Sequence, residues 1–132
     1  MNQELGIQYA RESASTVKGT VENLTRELAA REFGVLSNID VKKIIKEKLG
    51  ENMGEYVILD VCSPKHAKRA IDAHKEVGLI LPCKITVYED NGKTQVSLYR
   101  PTKAVDVLKF SDLESLAQEV EAQLKQAINA IV

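Results

Sequence analysis

Apolar and polar positions alternate most cleanly from Lys84 to Tyr99, in the run KITVYEDNGKTQVSLY, where two strand-like patterns flank a turn. Asn91-Gly92 occupies the centre of that turn, and a two-residue type I′ hairpin needs the positive φ that Asn and Gly adopt at little cost. Register follows by counting. Val87 faces Val96, Ile85 faces Leu98 and Cys83 faces Arg100, while Tyr88 meets Gln95, Thr86 meets Ser97 and Lys84 meets Tyr99 on the opposite face. One face is apolar and the other mixed. Carrying the alternation back through Gly78-Leu79-Ile80-Leu81 puts Leu79, Leu81 and Cys83 on the apolar side and Ile80 on the mixed side. Pro82 donates no ladder bond and belongs at a strand start, an edge or a bulge.

The remaining elements follow from periodicity and cap chemistry. Gly6 to Val17 carries a weak strand pattern. A helix is predicted from Val21 to about Phe33, with Thr20 as N-cap, Val21, Leu24 and Leu28 on one face and Gly34 as the stop. Gly34 to Ile39 reads as a short strand, and Asp40 caps a helix that turns Val41, Ile44, Ile45 and Leu49 inward, its lysines outward, and ends at Gly50. Tyr56 to Val61 reads as a strand buried on one face. Ser63 as N-cap and Pro64 at the first helical position start a helix through about His74. After Pro101 a loop is predicted to Phe110, and Ser111-Asp112-Leu113-Glu114 reads as a capping box for a last helix striped by Leu113, Leu116, Val120, Leu124, Ile128 and Ile131. The pattern predicts a single α+β domain over residues 1–132, a mostly antiparallel sheet with helices packed on one face.

Composition narrows the function classes. The 132 residues carry 18 Lys and Arg against 19 Asp and Glu, a net charge of −1, and no basic block, so no nucleic-acid partner is expected. The start MNQELGIQYA lacks the pattern of a signal peptide and no apolar run approaches the ~18 residues of a membrane span, which points to a cytoplasmic protein without membrane contact. Two cysteines are too few for a disulfide scaffold and are read as thiols. No Ser-His-Asp motif, phosphate loop or dinucleotide fingerprint stands in the sequence.

The residues with chemistry to offer are few. Cys62 precedes a helix whose first N–H groups favour thiolate, while Cys83 is predicted to point inward. Simple alternation sends the two cysteines to opposite faces, against a disulfide. Cys62, His66 and Cys83 fall short of a zinc ligand set, no metal or cofactor is assigned, and His66 and His74 read as solvated helix histidines. Tyr56, Asp60, Tyr88 and Tyr99 lie on the mixed sheet face as a pocket or partner surface. Cys62, Cys83, His66, Tyr56 and Asp60 are the candidate ligand-binding residues.

Phe33-Gly34-Val35-Leu36, Ile39-Asp40, Lys46 to Gly50, Tyr56 to Leu59, Cys62-Ser63-Pro64, Ala67 and Gly78 to Cys83 stand in the order and spacing of the domain of unknown function 302 family, which the chain resembles over most of its length. The resemblance rests most on the Cys-x-Pro and Leu-Pro-Cys segments joined by one helix. It implies an α+β domain similar to the TATA-binding-protein-like fold, often dimeric, without DNA binding and without a reaction to carry over. Ser63 replaces the Asn of the family pattern.

The expected function is a noncatalytic ligand-binding or dimeric interaction module that uses the mixed sheet face. The alternative is a thiol-dependent redox or sulfur-handling protein with Cys62 as thiolate and Cys83 as its partner or pocket wall. A homodimer is expected because Ile80 and Ile58 break the polarity of the mixed face and call for cover, unless residues 6–17 or 101–110 fold over it.

Overall fold

The computed structural model describes residues 6–132, so the polar start MNQEL lies outside the described residues. Five strands, β1 (Gln8–Ser13), β2 (Gly34–Asp40), β3 (Tyr56–Cys62), β4 (Cys83–Asp90) and β5 (Lys93–Tyr99), form one antiparallel sheet in the order β1-β5-β4-β3-β2. The β4–β5 hairpin has the register read from the sequence, Val87 opposite Val96 and Ile85 opposite Leu98, around Asn91 at φ 53° and Gly92 at φ 75°. Positive φ at both central residues gives the turn the twist that its strands need.

One face of the sheet is covered. Val57, Leu59 and Val61 of β3, with Ile85, Val87, Val96 and Leu98, are buried in one cluster with residues of α1 (Val17–Ala30), α3 (Pro64–Ala73), α4 (Pro101–Leu108) and α5 (Glu114–Asn129). The α5 stripe supplies Leu116, Val120, Leu124 and Ile128, as its spacing predicts. α2 (Val41–Leu49) behaves otherwise: Asp40 caps it and Gly50 ends it, but no residue in it is fully buried, and Ile44 and Leu49 are exposed. It joins β2 to β3 at the sheet's edge, where no second layer lies over its stripe.

Several predicted elements move, each for a local reason. α1 starts before Thr20 because Thr16 Oγ1 accepts the Gly19 N–H at 3.0 Å; Thr20 is wholly buried, its hydroxyl 2.8 Å from Ser13 Oγ. The helix ends at Ala30, where Glu32 at φ 65° reverses the chain and the Phe33 N–H returns to the Leu28 carbonyl at 2.9 Å. Residues 101–108 are helix rather than loop, with Ala104 and Val105 in the core. The predicted capping box makes a 3₁₀ turn instead, and the Asp112 carboxylate accepts from His74 Nε2 at 2.8 Å.

The largest correction concerns residues 78–82. Lys75–Leu79 is a 3₁₀ helix, Leu81-Pro82 is a cis peptide, and β4 begins at Cys83, so strand alternation does not extend back to Leu79. Ile80 packs against the core while Leu79 is 81% exposed, the reverse of the expectation. The argument for a dimer through Ile80 falls with it. Neither proposed intrachain cover lies over the open face: β1 extends the sheet beside β5, and α4 joins the helical layer. Among the described residues no helix is long and apolar enough to cross a membrane.

Candidate functional site

At the end of the sheet where β3 finishes and β4 begins, α3, α4 and α5 close over a cavity of about 70 Å³. Ala67, Ala70, Val77, Ala104 and Val105 give it mostly apolar walls, and Cys62, Ser63, His66 and Cys83 supply its polar and sulfur groups. A pocket for a drug-sized ligand is typically ~300 Å³ or more, so this one suits a small group.

The polar part is one buried hydrogen bond with a half-exposed carboxylate beside it. Ser63 is the N-cap residue of α3, but its hydroxyl makes no capping bond; Ser63 Oγ lies 2.8 Å from His66 Nδ1, and both side chains are buried. His66 Nε2 lies 3.5 Å from Glu119 Oε1 on α5, and the ring stacks on Phe33 with centroids 6.1 Å apart. The Glu119 carboxylate beside Nε2 favours the tautomer with its proton there, in which Nδ1 accepts from the serine hydroxyl. The first hydrogen bond of the α3 turn is Ala67 N–H to the Ser63 carbonyl at 3.0 Å, so the amides of Lys65 and His66 precede it and have no intrahelical acceptor.

Burial works against thiolate at both cysteines. Burial pushes the Cys62 thiol up from its ordinary value, and burial followed by the nearby Cys62 pushes Cys83 up to about 12. The direction at Cys62 is opposite to the lowering expected from the α3 N-terminus, since burial favours the neutral thiol at both cysteines. Both remain free thiols.

Of the five residues singled out in the sequence, the cavity gathers Cys62, Cys83 and His66. Tyr56 and Asp60 lie on the open sheet face, where Tyr56 stacks on Tyr88 at 5.1 Å and Asp60 accepts from Ser37 Oγ at 2.6 Å and from Lys84 Nζ at 2.9 Å. The Ser37 bond first, then Lys84, holds the Asp60 carboxyl below its usual range. Tyr99 reaches the cavity wall. The reading of His66 as solvated is also corrected, since it is buried, whereas His74 stays partly exposed, stacked on Phe110 at 3.9 Å and bonded to Asp112. Among the described residues no group of three or more His, Cys, Asp and Glu is placed to hold a metal ion.

Sequence reasoning missed Ser63 and Glu119. The Ser63/His66 spacing at a helix start was a usable signal, since residues three apart on a helix meet, but Glu119 is brought in by tertiary packing alone.

Fold and site define a small α+β protein with a helix-covered antiparallel sheet and a cavity at the sheet's end. The family described as "Domain of unknown function DUF302" matches residues 9–131, and the chain belongs to it. Among solved structures it is similar to an uncharacterized conserved DUF302 protein from Bacillus stearothermophilus, with 30% identity and a TM-score of 0.92, over 97% of this chain and 100% of that one. Comparison with curated proteins finds no match.

Proposed function

We infer that the protein is a small-ligand-binding module, and that its site is the cavity beside Cys62, Ser63, His66 and Cys83 rather than the open sheet face. The observation that carries this reading is the convergence of buried polar and sulfur groups on one mostly apolar space. On the sheet face, Asp60 already satisfies Ser37 and Lys84, and Tyr56 already packs on Tyr88. The ligand class is a small uncharged molecule with one hydrogen-bonding group, because a charged one would lose its hydration among apolar walls. Neutral thiols fit that role as walls and weaken the alternative of a thiolate-based redox protein.

Ethyl acetate is a suitable probe. A ligand of this size should bind at about 1 mM. Titration followed by NMR should shift the resonances of Ala67, Ala70, Val77 and Cys83 together. Shifts confined to Tyr56, Asp60 and Tyr88 would move the site to the sheet face and overturn the reading.

A further inference from the structure

We propose that Ser63 is a nucleophile, His66 its general base and Glu119 a positioning residue, so that the cavity hydrolyses esters of small acyl groups. This rests on the cavity being the ligand site and adds a reaction to it. The warrant is geometric. Ser63 Oγ lies 2.8 Å from His66 Nδ1 and His66 Nε2 3.5 Å from Glu119 Oε1, a nucleophile, a base and an orienting carboxylate in sequence. Relative to serine hydrolases the two ring nitrogens exchange roles, but the proton logic is the same: a carboxylate beside one nitrogen favours the proton there and leaves the other to accept from the hydroxyl.

Two further features favour this chemistry over plain helix capping. An N-cap serine ordinarily bonds an N–H of the first turn; here that bond is absent, so the hydroxyl oxygen keeps its lone pairs toward the cavity it lines. The Lys65 and His66 amides precede the first hydrogen bond of α3 and take none from the Ser63 hydroxyl, and first-turn amides are donors of the kind that stabilise an oxyanion. The apolar walls of the small cavity suit an acyl chain of acetyl to butyryl size.

The step balances without a further reactant. Ser63 Oγ attacks the ester carbonyl carbon and its proton passes to His66 Nδ1. The bond from that carbon to the leaving oxygen then breaks, and the leaving alcohol takes the proton from Nδ1. Water attacks the acyl-serine in the same way, giving the carboxylic acid and restoring Ser63.

Incubation of the whole protein with p-nitrophenyl acetate, followed by peptide mass spectrometry, tests the assignment. The expected result is an acetyl group on Ser63, with nitrophenol release falling at least ~100-fold in Ser63→Ala and in His66→Gln. Glu119→Gln should lower kcat and leave KM unchanged, which loss of structure alone would not do. Acetyl on Cys62 or a lysine, or release at the wild-type rate from Ser63→Ala, overturns the proposal. If ethyl acetate still shifts the cavity resonances when Ser63 stays unmodified, the reaction fails while the binding site stands.

Discussion

At the scale of single residues, Glu121 shows how a buried charge is retained. Burial alone would raise its pKa, but the Thr102 hydroxyl at 2.7 Å, the Thr102 N–H at 3.0 Å, Lys125 and Arg100 together hold it down to about 2. Because the folded value lies below the unfolded one, the contribution is present above about pH 4.5 and is lost as pH falls toward 2. After allowance for solvent screening it amounts to about 2 kcal/mol. Urea unfolding of Glu121→Gln should therefore show a deficit of that size at pH 7 that closes by pH 2. The thiols obey the opposite sign. With folded values raised, their stabilising contribution is complete below about pH 8.5 and declines as pH rises toward 12, so wild-type stability should fall above pH 9 more than that of Cys83→Ala. Cys83 should alkylate far more slowly at pH 7 than a free thiol in denaturant. The helix-to-helix partners were not legible in the sequence, because Thr102 and Glu121, or His66 and Glu119, meet only through packing between helices.

At the scale of elements, what was legible depended on how local the determining chemistry is. The hairpin was read with its register because Asn91-Gly92 and the alternation beside it carry the information within sixteen residues. Gly92→Ala, at φ 75°, should cost about 1 kcal/mol in thermal unfolding, and Thr16→Ala a similar amount by removing the cap on Gly19. α4 was missed because its cap comes from elsewhere in the chain. Pro101 brings no N–H, Arg100 makes no side-chain cap, and the Glu121 carboxylate takes the Thr102 amide in its place. Glu121→Gln should accordingly speed hydrogen exchange in the first turn of α4 before it affects the hairpin. The run Leu79-Ile80-Leu81 misled because a purely apolar stretch has no period, and the 3₁₀ turn and cis-Pro82 that bend it leave no alternation to read.

At the scale of the molecule, the antiparallel sheet and its single helical layer follow from the one-sided alternation of β3, β4 and β5. Strand order was not legible: nothing local places β1 beside β5, across the hairpin from β3. The candidate site divided along the same line. Cys62, the last residue of β3, and Cys83, the first of β4, both line the cavity although alternation sets them on opposite faces, because the cavity lies at the sheet's end, where β3 gives way to α3. A site assembled from two strand ends and three helices depends on the whole fold, so filling it should be felt by the ligand and not by the distant hairpin. The most direct measurement is the affinity for ethyl acetate of Ala67→Leu beside wild type, with the Val87–Val96 cross-strand contact monitored by NMR as proof of an intact fold. The account predicts binding weakened at least ~10-fold, about 1.4 kcal/mol, with the hairpin contact unchanged. Equal affinity in the two proteins would contradict it.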